Sequence, residues 1–323
     1  MRLPHHLVNS LFFTFETVEE FITALGIDAD SADGREILRL SELGLPPITS
    51  QTALATMIGI NPGLVWSLQN RTRKYYREFS IPKGKSRRHI QAPKIALKII
   101  QKWLSIHLQN RFSAPNHVFG FVNGKSHIDA AKQHLGANWI ISLDIKDFFQ
   151  TTPQKLVEIS LISMGYNEES ASLISSISCL NGYLAQGSPC SPVLSNICFQ
   201  EIDAQLIALT KGYDARISRY ADDVVISGCG DIPDDIKENA SKIIQSSVWN
   251  ISHEKTLLSK SPDRLKVHGL LVHGDNIRLT KGYRNRIRAI RHLVSIGRIP
   301  KEAENRALGH LNYSNQVDLA AKK

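Results

Sequence analysis

The chain has 323 residues, 42% hydrophobic and 21% charged, a globular composition long enough for a large core and two or three packed subdomains. No apolar run approaches the ~20 residues of a membrane span, and the N-terminus, whose apolar stretch is broken by Glu16, lacks the long apolar centre of a signal peptide; the expectation is a folded, cytoplasmic protein with no membrane partner. The formal net charge of +9 attracts polyanions, while Cys179, Cys190, Cys198 and Cys229 form no C-x-x-C pair or Cys/His set, which argues for reduced buried thiols and against zinc.

Leu11, Phe12, Phe15, Val18, Phe21, Ile22 and Leu25 recur at helical spacing before Gly26, predicting a packing helix in an N-terminal helical extension, residues 1–45. Gly44-Leu45-Pro46-Pro47 breaks helix and marks a boundary. From Arg71 to Lys85, and on through Ser86-Arg87-Arg88, basic residues interleave with Tyr75, Tyr76 and Phe79. That pattern suits phosphate contacts with base stacking, or equally a solvated strand pair whose aromatics face a core. Residues 94–112 form an amphipathic helix with Ile95, Leu97, Ile99, Ile100, Trp103, Leu104 and Leu108 as its apolar members.

The stretch 139–149 opens as a continuous apolar run, the mark of a buried central strand. Helices are predicted at 153–165 and 168–178, then a Gly/Pro-rich loop, then a helix from about Val193 to Leu209. Residues 216–228 read as two short strands around a tight acidic turn, 234–249 as an amphipathic helix, and 251–258 and 265–279 as further short strands. Strand, helix, strand, strand, helix, strand is the order of a split βαβ, ferredoxin-like sheet, an α+β fold.

Asp144 ends the buried strand, and Asp222 and Asp223 sit in the hairpin turn. If both elements share one sheet, three carboxylates meet at one edge. Hard cations such as magnesium take oxygen ligands from one or two carboxylates together with phosphates. Two such ions can activate an attacking 3′ oxygen and stabilise leaving pyrophosphate, the requirement of nucleotidyl transfer. An isolated Asp-Asp pair is more simply a polar turn; here it follows Tyr220, is flanked by apolar strands, and lies downstream of two other distinctive segments. Asp147 starts the turn into the next helix and is expected to face away.

Tyr220-Ala221-Asp222-Asp223 resembles the YADD box of reverse transcriptases. Leu143-Asp144-Ile145-Lys146-Asp147-Phe148-Phe149 resembles their motif A, and Gln186-Gly187-Ser188-Pro189-Cys190-Ser191-Pro192 their motif B. The resemblance implies a right-hand polymerase: fingers at 46–138, a ferredoxin-like palm with the catalytic core at 139–264, and a primer-grip hairpin with a basic helical thumb at 265–323. It implies two Mg2+ ions held by Asp144, Asp222, Asp223 and the Ile145 carbonyl. Phe149 would be the gate against a ribose 2′-OH, and Gln186 and Gly187 would line the nucleotide pocket. Arg88, or Arg87 after a one-residue slip, would grip the deoxynucleoside triphosphate. Lys255 resembles the motif D lysine that protonates or stabilises pyrophosphate; a surface lysine is the other reading.

Two more segments resemble retron enzymes. Ala130-Ala131-Lys132-Gln133-His134 occupies the place of a retron Asn-Ala-x-x-His box, with Ala130 for the Asn, and Val267-His268-Gly269 that of Val-Thr-Gly, with His268 for the Thr. His134, Val267, His268 and Gly269 are therefore expected at the RNA, with an ordinary partly buried histidine as the other reading of His134. Ile287, Ile290, Leu293 and Val294 give the C-terminal region one apolar helical face, with Arg284, Arg288 and Arg291 among its basic residues, suited to a nucleic acid backbone. The retron resemblance implies a cognate noncoding RNA primed from an internal guanosine 2′-OH, branched multicopy single-stranded DNA as product, an effector protein encoded nearby, and anti-phage defence. The alternatives are another bacterial defence or diversity-generating reverse transcriptase with different priming, and a non-catalytic RNA-binding scaffold for an effector.

Overall fold

The computed structural model describes residues 2–84 and 86–322, so Lys85, at the end of the basic stretch, lies outside the described residues. The chain divides into two compact units, one of residues 1–114 and 147–201 and one of residues 115–146 and 202–323.

In the first unit the expected helix over residues 11–25 begins only at Val18, running Val18–Leu25. Ser10 explains the delay: its hydroxyl donates to the Phe15 carbonyl at 2.6 Å and accepts from the Phe12 amide at 3.0 Å, bonds that compete with helix. Phe13 then takes a left-handed φ of 56°. The strands Tyr76–Lys83 and Ser86–Pro93 pair antiparallel. Their aromatics split between the two readings: Tyr76 is buried and accepts a hydrogen bond from Gln101 at 2.8 Å, whereas Phe79 is exposed. The helix Ile95–Arg111 buries Leu97, Ile100, Trp103, Leu104 and Leu108 but leaves Ile95 outside, at its first turn. Gln154–Met164 and Glu168–Ser178 are helices as expected. The single helix expected from Val193 to Leu209 is instead two, Ser191–Cys198 in this unit and Gln200–Gly212, which from Ile202 on belongs to the second. The junction is Phe199, fully buried and edge-on to Phe148 at 5.6 Å.

The second unit is built on a four-stranded antiparallel sheet of Trp139–Asp144, Arg216–Tyr220, Asp223–Gly228 and Leu257–Lys260. Across the sheet the strands stand second, third, first, fourth, the order of a ferredoxin-like split βαβ. Trp139, Ile140, Ile141 and Leu143 of the first strand are all buried, as a central strand's must be. The fourth strand starts later than expected, because residues 252–256 form a turn in which the Ser252 carbonyl accepts from both Lys255 and Thr256; Ile251 makes only an isolated bridge to Ile145. The strands Lys266–Val267, Leu270–Leu271 and Arg278–Leu279 form a small sheet of their own. Val267, Leu270 and Leu279 share a core with Ile128, Ile140, Val225 and Val317, each such side chain contributing ~1.5–3 kcal/mol when fully buried. The helices Lys281–Ser295 and Lys301–Ala320 complete the unit. Of the four apolar residues expected on one face, Ile287 is buried while Leu293 and Val294 are exposed. Cys229 is likewise exposed, against the expectation of buried thiols; the other three cysteines are buried. No helix among the described residues is long and apolar enough to cross a membrane.

Candidate active site

Register brings the carboxylates together. Asp144 stands opposite Asp223, the last pair of their antiparallel ladder, and Tyr220 pairs with Asp223, so Ala221 and Asp222 form a two-residue loop. Ala221 has φ 59°, a left-handed value that a two-residue hairpin demands and that usually selects Gly, Asn or Asp. The Ile145 amide donates to the Asp222 carbonyl at 2.8 Å. Strand end and hairpin tip are thus bonded to each other, not merely near.

Lys255 Nζ donates to Asp144 Oδ1 at 2.7 Å. His268 Nδ1 lies 3.1 Å from Asp223 Oδ2. Asp222 is mostly buried, and burial, followed by the negative charges of Asp144 and Asp223, holds its carboxyl above the usual range against its own backbone amide and Lys255. With Asp144 and Asp223 turned to Lys255 and His268, the described residues contain no trio of His, Cys, Asp or Glu already set to hold an ion. The donor chemistry nonetheless fits magnesium: hard carboxylate oxygens, one of them pushed towards its neutral form by burial and then by two like charges, a repulsion that a divalent cation would relieve.

Residues 81–272 match the family model for reverse transcriptase (RNA-dependent DNA polymerase). The chain belongs to the reverse transcriptase family. It is 29% identical over 294 residues to the retron Ec86 reverse transcriptase of Escherichia coli, covering 89% of this chain and 91% of that protein. To the retron Mx65 reverse transcriptase of Myxococcus xanthus it is 28% identical over 279 residues, covering 79% of this chain and 65% of that one. Among solved structures it resembles apo telomerase from Candida tropicalis, truncated of its C-terminal domain, with 11% identity, a TM-score of 0.44, and coverage of 82% and 73%. The retron resemblance read from the motifs is borne out, and the chain is an RNA-directed DNA polymerase of the right-hand fold.

The remaining motif residues of this reverse transcriptase separate by unit. In the first, the Gln186 carbonyl accepts from the Gln91 amide at 2.8 Å and the Gln186 side chain accepts from Gln150 at 3.0 Å. A Cβ at Gly187, φ 134°, would meet the Gln91 carbonyl oxygen at 2.8 Å. Motif B therefore lies on the strand that carries Arg88, three residues before Gln91. Arg88 is half-buried opposite Ile81, while exposed Arg87 donates to the Ser80 carbonyl at 3.3 Å. Phe149 is half-buried, tilted against Phe148 at 5.8 Å. Asp147 is exposed with φ 49°.

In the second unit two of the expected RNA contacts require correction. His134 is fully buried, its Nδ1 2.7 Å from Ser227 Oγ and its Nε2 2.7 Å from Ser218 Oγ. It ties together the hairpin strands that carry the YADD box and offers RNA no surface. Burial, then the charges of Arg216 and His268, lower its pKa to about 3, so the ring stays neutral. Val267 is also buried, in the core under the small sheet. His268 and Gly269 form the turn between Lys266–Val267 and Leu270–Leu271, both at positive φ. The sequence marked His268 as a departure from the retron box but gave no sign that it reaches Asp223, a contact made by tertiary placement alone. Arg284, Arg288 and Arg291 are exposed and line a cavity of about 530 Å³ together with Asp318.

Proposed function

We propose that this reverse transcriptase copies a cognate structured noncoding RNA into branched single-stranded DNA, priming from a guanosine 2′-OH, with Asp144, Asp222 and Asp223 as its catalytic carboxylates. The observation that carries the assignment is the convergence of three carboxylates on one sheet edge, with the Asp222 carboxyl held above the usual range by burial first and then by the charges of the other two. Asp144 and Asp222 would hold two magnesium ions, and Asp223 and the Ile145 carbonyl would support them. Those ions, when bound, supply Lewis-acid activation of the attacking oxygen and neutralise charge on the leaving pyrophosphate.

The chain's own groups do the rest. Lys255, whose ammonium stands at the Asp144 carboxylate, protonates the leaving pyrophosphate or stabilises its negative charge. Arg88 presents a fork of N–H donors to the triphosphate. Gln186 and Gly187 shape the nucleotide pocket, and the Phe149 ring excludes a ribose 2′-OH. Arg284, Arg288 and Arg291, with His268 and Gly269 at the neighbouring turn, contact RNA. Partners are the cognate RNA, its DNA product, deoxynucleoside triphosphates and an effector protein encoded nearby, in cytoplasmic anti-phage defence; the effector and the defence role rest on family analogy.

Sequencing of the nucleic acid that copurifies with the protein tests this reading. A DNA joined to RNA by a 2′,5′ branch is expected. Reproducible unbranched product identifies a defence or diversity-generating enzyme with different priming instead. Asp222→Asn should abolish DNA synthesis while RNA binding persists; undiminished synthesis by that variant would remove Asp222 from the catalytic set, whereas RNA binding with no DNA synthesis by the parent chain would leave a non-catalytic RNA scaffold as the better reading.

A further inference from the structure

One residue before the YADD box, Arg219 is wholly buried although it carries a charge. Its Nε donates to Asp203 Oδ1 at 2.8 Å and its Nη2 to Asp203 Oδ2 at 2.6 Å, a two-pronged guanidinium–carboxylate pair. Asp203, in the helix Gln200–Gly212, is fully buried too, and His117 Nε2 lies 3.0 Å from its Oδ1. The third arm of the guanidinium, Nη1, donates to the Ala221 carbonyl at 3.2 Å, inside the catalytic turn. The backbone of Arg219 is held as well: its amide donates to the His117 carbonyl at 2.8 Å, and its carbonyl accepts from Phe119 at 2.8 Å.

We propose that Arg219 is a positioning residue for the Asp222 carboxylate, its guanidinium locking the Ala221–Asp222 turn to the Asp203 helix. The proposal rests on the assignment of Asp222 as a catalytic carboxylate.

Stability alone is a weak explanation for such a pair. Desolvating a guanidinium and a carboxylate is expensive, and apolar replacement of a buried pair is often neutral or stabilising. What an apolar pair could not supply is a rigid planar donor that grips a carboxylate with one edge and a turn carbonyl with another. The turn needs such a grip. Its first residue is an alanine at φ 59°, where most hairpins place a residue freer to adopt positive φ. A peptide carbonyl fixed at that residue fixes the orientation of the following one, which is Asp222. Asp203 keeps the negative charge that this grip requires. Burial pushes its carboxyl up, but the Arg219 charge and the His117 and Arg219 hydrogen bonds outweigh burial and hold it below the usual range.

The test measures steady-state DNA synthesis on an RNA template with a DNA primer, together with thermal melting, for the full chain. Arg219→Met with Asp203→Asn removes both charges but leaves His117 an acceptor. Melting should move by only a few degrees and the KM for nucleotide by less than about twofold, while kcat falls about tenfold to a hundredfold, the scale of a misplaced reacting group. A kcat per folded molecule within twofold of the parent overturns the proposal. Should the double variant fail to fold, Arg219→Lys decides: it keeps a positive charge opposite Asp203 without the fork, and the same split between kcat and KM is expected. Full kcat in that variant overturns the proposal. Asp222→Asn run alongside separates the two layers. If it is inactive while both Arg219 variants run at full rate, only the positioning role falls; if it is itself active, the assignment of Asp222 falls.

Discussion

Lys255 Nζ and Asp144 Oδ1, 111 positions apart in the chain, lie 2.7 Å from each other. The bond sets an ammonium at the carboxylate that ends the central strand. Lys255 itself is more than half exposed, so the pair contributes little to folding and its value is chemical. Lys255→Met is expected to lower kcat about a hundredfold, the low end of proton-transfer catalysis, with melting unchanged. Lys255→Arg keeps the charge but does not release a proton near neutrality, so it should remain slow. Single-nucleotide incorporation under single-turnover conditions reads both, and parental rates in the Met variant would reduce Lys255 to a surface residue.

Asp222 gives a prediction for stability. Its carboxyl is raised in the folded state, first by burial and then by Asp144 and Asp223. A raised acid binds its proton more tightly when folded. Its contribution is therefore most favourable below the unfolded carboxylate pKa of ~4 and is lost as pH rises through the folded value, so the ionised group costs stability at pH 7. With magnesium chelated, Asp222→Asn should melt higher than the parent at pH 7, by about 1–3 °C for a chain of this size. The gain should vanish near pH 4. Calorimetry at both pH values checks the sign, and a lower melting point for the variant at pH 7 contradicts it.

The parts of the site written in local pattern were legible in the sequence. The apolar run ending at Asp144 and the short apolar segments flanking the acidic turn at Asp222 and Asp223 reported a central strand and a hairpin, and the strand order followed from the order of elements. What failed depended on tertiary placement. His134 looked the same in sequence whether it met RNA or two serine hydroxyls; only the packing of residues 127–134 on the hairpin decided it. Phe199 interrupts a helix that periodicity ran straight through, and its ring packs in the core against Phe148. His268 and Arg219 owe their partners to chain segments far from them in sequence.

Gly120 allows a close approach that no other residue could. A Cβ there would stand 2.1 Å from the Ala221 nitrogen and 2.8 Å from the Tyr220 carbonyl carbon. Both obstacles are backbone, so the catalytic turn must shift or the 117–120 segment must leave its edge. Gly120→Ala is expected to lower kcat at least tenfold, in keeping with ångström-scale misplacement costing up to ~100-fold, while destabilising by only about 1–3 kcal/mol. Incorporation kinetics and denaturant melts separate the two, and a fully active variant would mean that the turn tolerates displacement.

His134 predicts acid sensitivity. Burial, then Arg216 and His268, lower its pKa to about 3 from an ordinary 6.5. The unfolded chain therefore takes up a proton that the folded chain refuses, and the stability held above pH ~6.5 drains away as pH falls towards the folded value. His134→Gln can still donate to and accept from Ser218 and Ser227 but does not titrate, so its melting temperature should fall less steeply between pH 6.5 and 4 than the parent's. His134→Ala strands two buried hydroxyls and should cost about 2–4 kcal/mol. RNA affinity of the folded Gln variant should stay within about twofold of the parent; a selective loss of RNA binding would restore the contact role expected from the retron box.

The thumb arginines should behave in the opposite manner. Arg284, Arg288 and Arg291 stand exposed along the helix Lys281–Ser295, at intervals of four and three, so they share one side of it. Charge set in that row can follow a phosphate backbone, and each phosphate neutralised releases condensed counterions. Replacing all three with Ala leaves buried Ile287 untouched, so the fold should persist. Affinity for structured RNA should fall at least tenfold at moderate salt, and the slope of log affinity against log salt should shrink by about 2–3, one unit for each contact removed. A weakened affinity with an unchanged slope would mean that these side chains act through shape or neighbouring groups, not through phosphate.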